Sequence, residues 1–172
     1  MEKQCQPTPI EVHSLPGIER GRLLLGLPKT NLEIPFAIQS YASQVGFKSK
    51  DEYHVTVVGK KTQERLLTEG ALNDVVDLLE MGRQWYIVSL DNILLLRNIE
   101  IDDGGHQVIE ESIIQLATMP ELDALYDEIR QITHLDIPTP PAHITLFTKN
   151  ADRGIGLYSK EQLAKYTVKK LT

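Results

Sequence analysis

Two short stretches carry the same arrangement of reactive side chains: Tyr53-His54-Val55-Thr56-Val57-Val58 and Ala142-His143-Ile144-Thr145-Leu146-Phe147. Each reads as a strand. Side chains two apart on a strand share a face. His54 and Thr56 therefore project together, as do His143 and Thr145, with Val55, Val57, Ile144 and Leu146 on the reverse. The chain has five histidines, and two of them stand in the same apolar setting two places before a threonine. That repetition points to a shared task rather than to two unrelated strands. Paired imidazoles suit general acid–base work near neutral pH, where histidine titrates. For a phosphodiester lodged between them, one takes a proton from water or a ribose hydroxyl and the other protonates the leaving oxygen. Thr56 and Thr145 hold the non-bridging oxygens, where charge builds in the transition state. The pattern does not divide base from acid. No cofactor or metal is expected, because the chain has no Cys cluster and no His-x-x-x-His to supply closely spaced ligands.

These paired His-x-Thr motifs, the second entered through Pro138-Thr139-Pro140-Pro141, resemble the 2H phosphoesterase superfamily. That superfamily includes bacterial RNA 2′,3′-cyclic phosphodiesterases, once called 2′-5′ RNA ligases, and phage enzymes that degrade cyclic oligonucleotides. The likeness spans roughly residues 41 to 149. It takes in Glu111-Ser112-Ile113-Ile114-Gln115-Leu116-Ala117 and the helix-like Glu121-Leu122-Asp123-Ala124-Leu125-Tyr126. The resemblance implies an α+β, bilobal fold, with two pseudo-symmetric lobes that each hold an antiparallel sheet and helices. The motifs would lie on facing strands across an active-site cleft. It implies metal-independent hydrolysis of a cyclic or 2′-linked nucleotide phosphodiester, with His54, Thr56, His143 and Thr145 as the catalytic set. RNA 2′,3′-cyclic phosphate ends and small cyclic nucleotides are the expected substrates. The alternatives are a hydrolase of cyclic oligonucleotide signals and a non-catalytic module that binds nucleotides or RNA ends.

The elements that must position the motifs fit one domain of 172 residues made of two intimate lobes. The formal net charge of −6 is a poor grip for long duplex DNA, where affinity scales with neutralised phosphates. A small nucleotide or short RNA end is the expected partner, taken by a monomer. The single cysteine, Cys5, fits a reducing cytosol. The start of the chain lacks the pattern of a signal peptide, and no apolar run reaches the length of a membrane span. A cytoplasmic protein is expected.

Residues 1–20, with Pro7, Pro9, Pro16 and Gly17, read as irregular. Within them His13 reads as a surface residue, with substrate contact as the lesser option. Residues 21–28 read as a strand, and Pro35 opens a helix that ends at Gly46. Tyr41 on that helix has two readings, packing and contact to a base, of which packing is preferred. Gly59-Lys60-Lys61 reads as a solvated loop or as an electropositive mouth for a phosphate. Thr62 is expected to cap a helix broken at Gly70 and stopped at Gly82, with an apolar face that includes Leu66, Leu67 and Val75. Two strands, residues 85–90 and 93–99, are expected on either side of an Asp91-Asn92 turn. Trp85, the only tryptophan, reads as a packing residue or as a shelf for a nucleobase. A turn at residues 102–105 leads into a strand over 107–117. Pro120 then opens a helix with Leu122, Leu125, Ile129 and Ile132 on one face and His134 as its cap. Lys149, Arg153 and Tyr158 follow the second motif in a glycine-containing stretch. They are candidates for phosphate and base contacts, weighed against a plain surface loop. Ser159 caps a last helix, and residues 166–171 read as a lysine-bearing edge strand.

Overall fold

The apolar runs become strands whose order puts both motifs at the centre of a sheet. The computed structural model describes residues 9–12, 17–19 and 22–172. Among these the strands are β1 (Ile10–Val12), β2 (Gly17–Glu19), β3 (Arg22–Leu27), β4 (Lys48–Ser49), β5 (Tyr53–Val58), β6 (Trp85–Ile101), β7 (Gln107–Thr118), β8 (His143–Lys149) and β9 (Thr167–Lys170). The helices are α1 (Phe36–Gln44), α2 (Lys60–Thr68), α3 (Leu72–Glu80), α4 (Pro120–Thr133) and α5 (Lys160–Tyr166). The protein is thus α+β. Every pairing is antiparallel. The order is β1-β6-β7-β8-β5-β3-β2, with β4 also on β8 and β9 also on β6. The first motif lies on β5 and the second on its neighbour β8.

Both faces of the sheet are covered, which is why β6 and β7 are apolar without alternation. The larger core holds Val55, Val57, Ile144 and Leu146, packed with Ile38 and Ala42 of α1 and Leu122, Leu125 and Ile129 of α4. Full burial of side chains this size contributes about 1.5–3 kcal/mol each. On the other face a smaller cluster joins Leu94, Leu96 and Ile114 to Ile155, Leu157 and α5's Leu163 and Tyr166. This second face carries the motif histidines.

Several boundaries match the sequence reading. Gly70 takes a φ of +72° between α2 and α3, where a side chain would be strained. His134 caps α4 in the left-handed region, donating its N–H to Arg130 O. Ser159 accepts from Gln162 N at the start of α5.

Other expectations need correction. Asp91-Asn92 makes no hairpin turn: β6 runs on through it as one strand of 17 residues. Between Ser89 and Ile93 the register against β7 slips, so this pair is absorbed as a bulge. The C-terminal Thr172 side chain stabilises the bulge, accepting from Ile93 N and donating to Asp91 O. Thr62 does not cap α2. Gly59 does, and Thr62 is buried one turn in. Leu67 and Ile132, expected on apolar faces, are exposed. Within residues 1–20, Ile10–Val12 and Gly17–Glu19 form strands rather than irregular chain. His13 lies outside the described residues.

Candidate active site

The key register is a single pairing, Val55 opposite Ile144. Both side chains are fully buried in the larger core. Their antiparallel neighbours must then point to the other face, with Thr56 opposite His143 and His54 opposite Thr145. The four motif side chains form a square on one face, each His facing a Thr. The two histidines lie on a diagonal, spaced about 7–8 Å in a regular ladder. Their proximity also shows electrostatically, since His54 helps to lower the proton affinity of His143.

Each motif strand carries a bulge directly after its threonine. On β5, Thr56 pairs with Leu24 and Val58 with Leu23, leaving Val57 as the extra residue. On β8, Thr145 pairs with Ile114 and Phe147 with Ile113, leaving Leu146 as the extra residue. A bulge frees a backbone carbonyl from its ladder, and a buried carbonyl needs a donor. The Tyr126 hydroxyl of α4 donates to Val57 O at 3.0 Å. Lys50 N donates to Leu146 O at 3.1 Å. Burial pushes the Tyr126 pKa up to about 12, so it remains a donor at neutral pH.

His143 is almost fully buried, and its Nδ1 lies 2.9 Å from Pro141 O. A carbonyl only accepts, so Nδ1 carries the hydrogen and the lone pair belongs to Nε2. The prolines before the motif fix the backbone that supplies this acceptor. Burial pulls the His143 pKa below its ordinary value. The Pro141 hydrogen bond works in the other direction, and His54 adds to the lowering. His54 is half-buried beside Gly26 of β3. A Cβ built on Gly26 meets nothing within 4 Å, so the space next to His54 is open.

A cleft of about 290 Å³ opens on this face and touches Thr56 and His143. Gly59, Lys60, Lys61 and Thr62 at the start of α2 form one wall. Gly59 lies against Thr56, where a Cβ would be 3.8 Å from Cγ2. The first N–H groups of a helix lack internal partners and favour an anion. The segment 153–158, including Arg153 and Tyr158, also lines the cleft. This segment is tied down at several points. Asn150 donates to Ile109 O, Lys50 to Asp152 O and Ile155 N to Ser112 Oγ. Gly154 sits directly on Thr145. A Cβ there would lie 2.9 Å from Thr145 Cγ2 and closer still to Oγ1.

Of the secondary candidates, Arg153 and Tyr158 line the cleft, and Tyr41, Trp85 and Lys149 do not. Tyr41 packs at the edge of the larger core, with Lys169 Nζ 4.6 Å from its ring centre. Trp85 is 1% exposed within the same core and offers no shelf to a base. Lys149 is carried to the opposite face by the β8 bulge, since one extra residue inverts every side chain beyond it. There its Nζ is 3.8 Å from Glu111 Oε2, and Arg97 pairs with the same carboxylate. Asn98, Glu100, Glu110, Gln162 and Tyr166 also line the cleft and were missed. The signal was present in part: Leu94, Leu96, Asn98 and Glu100 form a period-two row that turns polar towards the end of β6. Among the described residues no three His, Cys, Asp or Glu side chains are grouped to hold a metal ion. No described helix is long and apolar enough to cross a membrane. Searches of protein-family models, curated proteins and solved structures find no match to this chain.

Proposed function

We propose that the protein hydrolyses a cyclic or 2′-linked nucleotide phosphodiester through acid–base catalysis by His54 and His143. The observation that carries this reading is the Val55–Ile144 register, which gathers both His-x-Thr motifs on one face. The cleft adds the surroundings that a phosphate requires: the start of α2, Lys60, Lys61 and Arg153. The bilobal likeness to 2H phosphoesterases gains support from two features. The bulge after the motif threonine recurs on both strands, and β5 and β8 pair at a single position while β6 and β7 pair along eleven.

His143 suits the role of base. Its lowered pKa keeps it neutral, and its Nε2 holds a lone pair. In hydrolysis a water proton passes to Nε2 while the water oxygen bonds to phosphorus. The bond from phosphorus to the departing ribose oxygen breaks, and protonated His54 supplies the proton to that oxygen. Thr56 and Thr145 stabilise the non-bridging oxygens. Exchange with solvent then restores both imidazoles.

The test is the rate against pH on nucleoside 2′,3′-cyclic phosphates. A base that must be neutral and an acid that must be protonated give a bell. The acidic limb should lie below about pH 6.5, the ordinary histidine value, because the folded environment lowers His143. No release of phosphomonoester from any of the four cyclic nucleotides or from cyclic-phosphate RNA ends would falsify the proposal.

A further inference from the structure

We propose that the end of the cleft remote from the histidines is a base subsite selective for guanine, with Glu110 as the reading group. This rests on the hydrolase reading for the identity of the ligand as a nucleotide. The cleft is electrically divided. Thr56 and His143 face each other with Lys60 and Lys61 just beyond the end of β5, whereas Glu110 lies six residues along β7 from Leu116, the partner of His143, with Glu100 on the neighbouring β6. A ligand that is only an anion matches one half. A nucleotide with a donor-bearing base matches both.

The register fixes where these acids are. Glu110 faces Asn98 across β7 and β6, and it precedes by two residues Ser112, whose Oγ holds Ile155 N. It therefore lies on the site face, one step beyond the point where the covering segment is pinned. Glu100 already accepts from Asn98 Nδ2 at 2.8 Å. The Glu110 side chain has no hydrogen-bond or ion-pair partner among the described residues. Tyr158 and Tyr166, both half-buried, supply aromatic surface in the same cleft, and bases stack on such rings.

An ionised carboxylate only accepts hydrogen bonds. Guanine presents two adjacent donors on one edge, N1–H and the 2-amino group. On the corresponding edge adenine and cytosine each set one donor beside an acceptor, and uracil flanks its single N–H with two acceptors. A carboxylate at this position thus favours guanine and repels the lone pairs of the others.

The experiment is calorimetric binding of guanosine 2′- and 3′-monophosphates to the full chain, set against their adenosine, cytidine and uridine counterparts. Guanosine should bind about tenfold or more tightly, equivalent to one well-made recognition contact of about 1.4 kcal/mol. Inosine monophosphate, lacking the 2-amino group, should fall between. Glu110→Gln and Glu110→Ala should each abolish the preference, weakening guanosine binding while leaving binding of the other three nucleotides equal or somewhat tighter. Equal affinity for all four bases overturns the subsite, as does a guanosine preference that survives both substitutions. Equal loss for every nucleotide in the Glu110 variants also overturns it, because the carboxylate would then be holding ribose hydroxyls. Turnover separates this result from the function itself. Guanosine-selective binding without hydrolysis refutes the hydrolase and keeps the subsite, whereas hydrolysis with indifferent binding does the reverse.

Discussion

The two motif strands are alike in sequence and in their bulges, and they differ in what surrounds them. On β5, His54 borders the open space above Gly26, and Thr56 opens to the cleft. On β8, His143 is buried against the Pro141 carbonyl, and Thr145 lies under Gly154. The cleft reaches Thr56 on the more open strand and His143 on the more buried one, and neither His54 nor Thr145 is among the residues that line it. Two equivalent histidines would compete for the same protonation state. Burial lowers the pKa of His143 and so favours its neutral form, the form a general base needs.

The largest effect should come from removing either member of the pair. His54→Ala and His143→Ala should each reduce kcat by about 10²–10⁴-fold, the usual worth of a positioned proton carrier. Circular dichroism should show the fold retained. The comparison adds a sharper outcome: on the residual activity, His143→Ala should erase the acidic limb of the pH profile and His54→Ala the alkaline one. If both variants lose the same limb, the enclosed and open strands do not divide the work.

The two glycines give the next contrast. Gly154→Ala drives a methyl into Thr145, so the segment 153–158 or the threonine must shift. A displacement near 1 Å at a reacting centre can cost on the order of 10²-fold, and a fall in kcat of about 10- to 100-fold is expected. Gly26→Ala adds a methyl to open space beside His54. It should keep activity within about twofold, since small changes away from packed features are usually near neutral. Matching losses in the two variants would show that Thr145 is not the group Gly154 accommodates.

A smaller effect belongs to the bulges. Tyr126→Phe removes the donor to Val57 O and leaves a buried carbonyl unsatisfied. The cost should be about 1–3 kcal/mol in urea unfolding, with an unchanged m value. The equivalent carbonyl on β8 is held by backbone, through Lys50 N, so Lys50→Ala should leave that bond in place. A Tyr126→Phe loss below about 0.5 kcal/mol, within the range of ordinary surface substitutions, would mean that the bulge carbonyl finds water instead.

How much of this was legible follows from the physics of each element. The motif strands could be read because alternation with period two survives in sequence, and the caps at His134 and Ser159 because they rest on local chemistry. Lys149 could not be placed, because a bulge at Leu146 inverts the strand beyond it and leaves no composition mark. Trp85 had two readings until pairing with β1 and burial in the larger core chose one. The acidic end of the cleft was hidden for a different reason. Asn98 and Glu110 meet through the β6–β7 register, which the turn between Ile101 and Gln107 sets, but which face of that hairpin borders the cleft shows only when β7 pairs with β8.

The smallest effect is thermodynamic, and it tests the contrast without any substrate. Burial chiefly lowers the His143 pKa below 6.5, with His54 adding to it and the Pro141 carbonyl opposing it. A folded-state pKa below the unfolded value means that the unfolded chain binds the proton more readily. Above about pH 6.5 both states are neutral at this ring and it adds no pH dependence. As pH falls through that value, the unfolded state gains protons first, and stability is lost until the folded ring also titrates. Other groups titrate in the same range, so the informative quantity is the difference between the wild type and His143→Gln. The urea midpoint should fall less steeply in the variant between pH 7.5 and 5.5, because the glutamine has no proton to bind. Parallel curves would mean that the enclosed imidazole is as easily protonated as a free one, and the assignment of His143 as the base would go with them.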